Sequence, residues 1–213
     1  MTFCHPATII VSGGTGSGKT VLTRSILQYH KHTFTNLRKP KVIWCYGIYQ
    51  QLFMEPVSNV TITFYEGLAN EDLLDSEKPD VIVVDDLMNE KASDPFLHNL
   101  FTRTSHHRRI SVIYITQNLF EKGQCKIKRN AHYLVLTRNP SDKSLISILG
   151  RQLFPRKRSL LDHFYEAYDD ATKSRYGYLV IDVSPSSSEE EKLKTNILPD
   201  RKGKVAVVVY QPK

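Results

Sequence analysis

The sequence predicts an α/β fold in which a mostly parallel central sheet is covered by helices on both faces. Three observations predict it. Segments typical of strands alternate with segments of helical periodicity along most of the 213 residues. One strand segment, residues 81–84, is apolar at every position, as expected of a strand buried on both faces. A glycine-rich stretch, residues 13–20, joins the first strand segment directly to the first helical one.

Strand segments are predicted where β-branched and aromatic residues cluster between turn signals. The first ends at the glycine-rich stretch, and the second, Lys-Val-Ile-Trp-Cys-Tyr, ends at Gly47. The predicted strands of the main sheet cover residues 8–11, 41–46, 60–65, 81–84, 111–116, 132–137 and 178–183.

Helical segments are predicted between these strands. The first follows the glycine-rich stretch to about residue 32, because Leu22, Ile26 and Tyr29 recur at helical spacing. Another begins where Asp94 can cap and Pro95 can occupy the first turn. The later helices are predicted over residues 70–76, 94–105, 141–152 and 159–171.

The chain is predicted to divide at about residue 183. Residues 1–183 contain the alternating elements and form the main domain. In residues 184–213, a polar, linker-like stretch of serine and glutamate precedes one last strand segment, residues 204–210. We expect this part to be an appendage of the same domain, its strand pairing either with the main sheet or with a neighbouring molecule.

Residues 13–20 read Gly-Gly-Thr-Gly-Ser-Gly-Lys-Thr, the phosphate-binding loop pattern G-x-x-x-x-G-K-[ST] between a strand and a helix. Glycines let consecutive N–H groups converge on a phosphate at a helix N-terminus. We therefore expect a bound nucleoside triphosphate, the alternative being a glycine-rich turn that binds nothing. Lys19 is expected to bridge the β- and γ-phosphates and Thr20 to ligate Mg²⁺. The nucleotide contacts are expected from Gly13, Gly14, Thr15, Gly16, Ser17, Gly18, Lys19, Thr20 and Val21.

Two adjacent acids, Asp85 and Asp86, follow the apolar strand of residues 81–84. An acid at the end of such a strand reaches the magnesium shell, so Asp85 is predicted to bind Mg²⁺ through a water. Asp86 then fits a base that orients or deprotonates an attacking water. The alternative is a pair of acids that caps a turn.

Gln117 follows the strand predicted over residues 111–116. If that strand lies between the loop strand and the two-acid strand, Gln117 lies beside the γ-phosphate and senses hydrolysis; otherwise it is a turn-forming amide. Arg103, Arg108 and Arg109 come between the two-acid strand and this one. An arginine here can reach a neighbouring subunit's nucleotide and stabilise the transition state, with Arg108 the first choice; the alternative is an ordinary surface arginine.

The net charge of +7 is unevenly distributed, because residues 101–160 carry thirteen Lys and Arg against two acids. This excess indicates a polyanionic partner, or else a solvated basic face with catalytic arginines. One basic cluster is predicted to follow a DNA backbone without reading its sequence, the alternative being a solvated loop. It consists of Lys122, Lys126, Lys128 and Arg129.

The sequence also bears on the compartment. The three cysteines lie far apart and lack metal-ligand spacing, which indicates reduced thiols in a cytosol or nucleus. No apolar run approaches the length of a membrane span, and the first residues lack a signal-peptide layout. We therefore expect a soluble, intracellular protein with no membrane partner.

Several stretches together resemble the genome-packaging ATPases of the FtsK–HerA superfamily. The similarity is greatest to the poxvirus-type enzymes, which also occur in Maverick/Polinton-like elements and related small DNA viruses. The phosphate loop alone is generic, whereas Asp-Asp-Leu-Met at 85–88 and Thr-Gln-Asn at 116–118, in this order, are more specific. The resembling stretches are residues 11–20, 42–47, 83–88, 105–108, 115–120, 131–136 and 176–182.

The resemblance implies a P-loop NTPase of the additional-strand, catalytic-acid (RecA/FtsK-like) type that moves double-stranded DNA into a preformed capsid. It implies that Lys19 and Thr20 bind ATP and Mg²⁺, that Asp85 binds the metal, that Asp86 is catalytic and that Gln117 is the sensor. Most members of the superfamily have Glu where this chain has the shorter Asp86. The implied partners are double-stranded DNA, a homo-oligomeric ring of five or six copies, and a capsid or portal-vertex protein. The implied place is the site of virion assembly, in the host nucleus or cytoplasm.

Two other functions remain open at this point. A nucleotide-dependent clamp or assembly protein would bind DNA and capsid with little turnover. A small-molecule P-loop kinase would transfer phosphate to a bound acceptor and exclude water. An acid poised to activate water favours hydrolysis over the kinase. The sequence lacks the Asn-Lys-x-Asp motif of guanine-binding GTPases and the Leu-Ser-Gly-Gly motif of transporter ATPases.

Overall fold

Nine strands in the described part of the chain pair into one continuous sheet. The computed structural model describes residues 2–85, 87, 95–120, 125–200 and 202–212, and gives only the backbone of Cys125 and Lys126. The strands are β1 Thr8–Ser12, β2 Lys41–Tyr46, β3 Thr61–Glu66, β4 Val81–Asp85, β5 Ser111–Thr116, β6 Tyr133–Thr137, β7 Tyr178–Asp182, β8 Leu193–Thr195 and β9 Val208–Tyr210.

The order of strands across the sheet is β3-β2-β4-β5-β1-β6-β7-β8-β9. The six strands from β3 to β6 are parallel, and β7, β8 and β9 extend the sheet in antiparallel fashion. Every residue of β1, β4, β5 and β6 is buried, because helices or connecting segments cover both faces of the parallel part. The predicted mostly parallel α/β sheet is confirmed. The strand β5 lies between β1 and β4, as the additional-strand arrangement requires.

The helices divide between the two faces of the sheet. They are α1 Lys19–Gln28, α2 His30–Thr33, α3 Glu71–Glu77, α4 Pro95–Asn99, α5 Ser105–His107, α6 Cys125–Arg129, α7 Lys143–Leu153 and α8 Arg158–Thr172. A 3-10 turn covers Gln51–Met54, and a π-helical stretch, Leu100–Thr104, joins α4 to α5. The apolar side chains of α1 pack on one face of the sheet, and those of α3, α4, α6, α7 and α8 pack on the other.

Two predicted helices differ from the observed ones. The first ends at Gln28 and continues after Tyr29 as the short α2, so the helical segment is interrupted. The predicted helix over residues 94–105 is described from Pro95, and its middle turns are π-helical. The spacing of apolar residues does not distinguish an α-helix from a π-helix, because both place apolar side chains on one side. The predicted cap Asp94 lies outside the described residues.

The chain after residue 183 belongs to the same sheet. The strand β8, which was not predicted, pairs with β7, and β9 pairs with β8. The predicted final strand is shorter than expected, because only Val208–Tyr210 of residues 204–210 pairs. Among the described residues, no helix combines the length and the apolar character needed to cross a membrane.

Candidate nucleotide site

Residues 13–18 curl at the C-terminal end of β1 and lead into α1. Gly18 has a φ of 88°, in the left-handed region that favours glycine. Gly13 is required for a different reason, since a Cβ atom there would lie 2.0 Å from Oγ1 of Thr137. Thr137 ends the neighbouring strand β6, and its Oγ1 also lies 2.6 Å from Oγ of Ser17. The loop is therefore shaped by its own glycines and by the end of β6.

Lys19 begins α1 and folds back across the loop. Its Nζ donates to the carbonyl oxygens of Gly13 and Gly14, both at 2.9 Å. The ammonium group therefore lies within the curl of the loop, at the positive end of the helix dipole. Oxygen atoms of a triphosphate in the loop would be within reach of this group, as the sequence pattern predicts.

Thr20 and Asp85 form the candidate metal site. Oγ1 of Thr20 donates to Oδ2 of Asp85 over 3.4 Å, although the two residues are 65 positions apart. Asp85 ends β4 and is 3% exposed. A hydroxyl and a buried carboxylate are hard oxygen donors, and Mg²⁺ is commonly held by one or two such groups together with waters and phosphate oxygens. The residues therefore fit Mg²⁺, which would neutralise phosphate charge when bound.

Trp44 makes a further contact with this carboxylate. Its Nε1 donates to the same Oδ2 atom of Asp85 over 3.3 Å, and the indole is fully buried. The sheet register explains the contact. Trp44 of β2 is paired with Val83 of β4, and Asp85 is two residues further on the same face. This indole orients the carboxylate, and sequence analysis did not identify it.

Gln117 lies directly beside the phosphate loop. Oγ1 of Thr15 donates to Oε1 of Gln117 over 3.0 Å. The contact follows from the position of β5 next to β1, where Thr116 is paired with Ser12. The tip of β5 and the loop after β1 therefore meet at one edge of the sheet. This is the position predicted for a residue that senses the γ-phosphate.

A cavity of about 630 Å³ joins these residues. It extends from the loop and the metal site along α1 to the turn before β7. Burial raises the pKa of Tyr178, which lines the cavity, to about 12. The cavity is lined by Thr15, Gly16, Gly18, Lys19, Thr20, Val21, Leu22, Ser25, Gln50, Leu52, Asp85, Ile115, Gln117, Tyr176, Tyr178 and Leu198.

Sequence analysis missed part of this wall. Tyr176 falls within a stretch of family resemblance and Tyr178 begins a predicted strand, but nothing in the sequence assigns these two residues, Gln50, Leu52 or Leu198 to the site. They come from the segment after β2, from the turn before β7 and the first residue of that strand, and from the segment after β8. No motif spacing connects these segments to the loop, so only the sheet order brings them together.

Arg108 lies at the opposite edge of the sheet from the phosphate loop. It precedes β5, whereas the loop follows the parallel strand β1. Its guanidinium pairs with Glu71 at 2.6 Å and with Asp75 at 2.5 Å, both on α3. Within one copy, Arg108 is therefore distant from the loop, and action on a neighbouring copy stays a prediction.

The remaining predicted residues are only partly described. Asp86, the predicted base, and Lys122 lie outside the described residues, as does the side chain of Lys126. Nζ of Lys128 donates to Oε1 of Gln152 at 2.8 Å and lies 3.8 Å from the ring centre of Phe120. Arg129, at the end of α6, is exposed.

The fold is similar to those of several solved structures. The genome packaging NTPase B204 from Sulfolobus turreted icosahedral virus 2, in complex with AMPPCP, is 11% identical, with 98% of each chain covered and a TM-score of 0.56. B204, the DNA-packaging ATPase from Sulfolobus turreted icosahedral virus, is also 11% identical, with 98% of each chain covered and a TM-score of 0.52. The flagellar accessory protein FlaH from Methanocaldococcus jannaschii is 14% identical, with 97% of this chain and 91% of FlaH covered and a TM-score of 0.50.

The fold is that of the P-loop NTPases. At these identities the likeness concerns the fold alone. B204 has also been crystallised with ATP-gammaS, with AMP and with sulfate. No protein-family model and no curated protein sequence matches the chain.

Proposed function

We propose that this protein is an ATP-hydrolysing motor that translocates double-stranded DNA and packages a viral genome into a capsid. One observation carries the proposal most directly. The strand β5 lies between β1 and β4, so that Gln117 contacts Thr15 of the loop while Asp85 contacts Thr20. A triphosphate in the loop would thus have the metal-binding carboxylate and an amide sensor at the same edge of the sheet.

The residues of the candidate site have distinct roles in this proposal. Backbone N–H groups of residues 13–18 and the ammonium of Lys19 bind the phosphates and hold them in line. Thr20 and Asp85 hold Mg²⁺. The predicted base, Asp86, follows Asp85 directly in sequence and takes a proton from the attacking water as the oxygen of that water bonds to the γ-phosphorus. The bond from the γ-phosphorus to the bridging oxygen breaks, and ADP and phosphate leave.

Gln117 connects the phosphate loop to the segment after β5, so that hydrolysis can move this segment. Its side chain bonds Thr15 in the loop, and its backbone continues from β5. The helix α6, which carries Lys128 and Arg129 of the predicted DNA-binding cluster, lies further along the same connection from β5 to β6. A change at the γ-phosphate that moves Gln117 would therefore act on the segment leading to those basic residues.

The polyanion partner is supported by charge. Residues 101–160 carry thirteen Lys and Arg against two acids, an excess well beyond what one nucleotide needs. The fold of B204, which is named as a DNA-packaging ATPase, agrees with a role on DNA. A ring of copies, with Arg108 of one copy acting on the nucleotide of the next, completes the proposal.

Steady-state hydrolysis separates this proposal from its two alternatives. Phosphate release from Mg²⁺-ATP is measured alone, with long double-stranded DNA, and with small acceptor molecules such as nucleosides. A motor predicts turnover that rises with DNA and disappears in Lys19→Ala. Binding with negligible turnover in every condition would indicate a clamp, and stimulation by an acceptor with indifference to DNA would indicate a kinase.

A further inference from the structure

Tyr176 lies against the phosphate loop, and none of the roles above uses it. It is the second residue before Tyr178, where β7 begins. A Cβ atom on Gly18 would lie 2.7 Å from Cδ1 of Tyr176, so the ring packs on the backbone of the loop. Tyr176 is nevertheless 55% exposed and lines the nucleotide cavity.

The backbone of Tyr176 is held in an uncommon conformation. Its φ is 66°, in the left-handed region where a bulky aromatic residue is rare. Neighbouring contacts hold the turn: the N–H of Gly177 donates to the carbonyl of Ser174 at 3.0 Å, and the guanidinium carbon of Arg175 lies 5.0 Å from the centre of the Tyr176 ring. Strained residues of this kind concentrate at ligand sites, where they place one side chain.

The direction of a bound nucleotide follows from the strand order. Asp85 and Gln117 come from β4 and β5, on one side of β1. In the proposed function, they mark the flank at which the terminal phosphate and the metal would lie. Tyr176 precedes β7, on the other side of β1 and beyond β6. The nucleoside end of such a nucleotide would therefore leave the loop towards Tyr176.

The wall on this flank suits a flat, uncharged ring. Tyr178 and Leu198 line the same cavity, together with Val21 on the first turn of α1. Aromatic rings stack on nucleobases, and aliphatic side chains shield base edges from water. We propose that Tyr176 forms one wall of a nucleobase subsite, on which the base of the bound triphosphate stacks. The inference rests on the proposed function, because the triphosphate must occupy residues 13–20.

The test compares ATP with inorganic tripolyphosphate, which lacks a base. Binding of each, with Mg²⁺, is measured calorimetrically on the wild-type protein and on Tyr176→Asn, Tyr176→Phe and Tyr49→Asn. Asparagine tolerates a positive φ, so Tyr176→Asn removes the ring without new backbone strain. Tyr49 is also 55% exposed but is not part of the cavity wall, which makes it the matched control.

We expect Tyr176→Asn to bind ATP roughly tenfold more weakly, about the effect of losing one base-stacking contact, and to bind tripolyphosphate as the wild type does. Tyr176→Phe and Tyr49→Asn should retain wild-type affinity for ATP. Equal ATP affinity in Tyr176→Asn and wild type would overturn the inference, as would an equal loss for ATP and tripolyphosphate. If the wild type bound tripolyphosphate but Tyr176→Asn changed nothing, the subsite alone would fail. If the wild type bound neither compound, the proposed function would fail as well.

Discussion

Replacing Trp44 by phenylalanine tests whether a buried indole orients the metal-binding carboxylate. The indole N–H donates to Oδ2 of Asp85, which also accepts from Thr20. Phenylalanine keeps an aromatic ring in the pocket but has no donor. Asp85 would keep its position at the end of β4 and lose one of the groups that fix its side-chain rotation.

The structure sets the expected size of the effect. A hydrogen bond to a charged group contributes about 1.5–3 kcal/mol. The distance of 3.3 Å is longer than the roughly 2.7–2.9 Å of a strong charge-assisted bond, so the lower end of that range applies. About 1.5 kcal/mol corresponds to roughly a tenfold rise in the Mg²⁺ concentration that half-saturates hydrolysis. This agrees with the roughly 10–100-fold effects of removing groups that orient metal ligands.

The assay is ATP hydrolysis as a function of Mg²⁺ concentration. Phe64→Leu is the matched control, because the Phe64 ring lies 6.1 Å from that of Trp44 and carries no hydrogen-bond donor. We expect Trp44→Phe to raise the half-saturating Mg²⁺ concentration and Phe64→Leu to leave it unchanged. Trp44 is also the only tryptophan of the chain, so wild-type emission should change when Mg²⁺ and ATP bind. The same Mg²⁺ dependence in Trp44→Phe and wild type would refute the reasoning.

Three further changes have defined outcomes. Gln117→Ala should lower kcat by about tenfold or more while the affinity for ATP stays within about threefold of wild type, because the amide acts after ATP has bound. An equal decrease in kcat and in ATP affinity would argue against a sensor. Arg108→Ala should lower the free energy of unfolding in urea by less than about 1 kcal/mol, because its ion pairs are on the surface. The same change should abolish turnover if Arg108 acts on the nucleotide of a neighbouring copy, and full turnover would exclude that role. Burial lowers the pKa of His132 below its ordinary 6.5, and its Nδ1 accepts from the N–H of Thr8. As the pH falls, the imidazole of the unfolded chain is therefore protonated before that of the folded protein, and the free energy of unfolding should decrease as the pH drops through 6.5. His132→Asn should make this decrease smaller. The same dependence of the urea midpoint on pH in His132→Asn and wild type would contradict the prediction.

The sequence predicted the parallel core of the fold well because its strands are buried on both faces. Apolar runs such as Val-Ile-Val-Val at 81–84 are typical of strands buried on both faces. The predicted bounds of β2 and β5 agree with the observed ones. The strand β8 was missed because three residues beside a polar stretch have no periodicity to detect. The π-helical turns of Leu100–Thr104 were missed because winding depends on packing against the sheet.

The candidate site was predictable where its residues are adjacent in sequence. The loop and the acid at the end of β4 are local motifs with a chemical reason for each position. The contacts of Trp44 with Asp85, of Thr137 with Ser17 and of Tyr176 with Gly18 join residues 41 to 158 positions apart. Strand order decides such contacts, and strand order cannot be deduced from spacing along one chain. Gln117 shows the same dependence, because its role was conditional on the insertion of β5.

Displacement of a third DNA strand tests the central claim most directly, because it detects movement along the duplex itself. A short oligonucleotide is bound as a triplex at one end of a long duplex, and its release is followed with Mg²⁺-ATP, with AMPPCP and with the Lys19→Ala variant. We predict release with ATP and the wild-type protein only, with a delay that grows with the distance from the loading end. Hydrolysis of ATP on the same duplex without any release of the third strand would contradict the account.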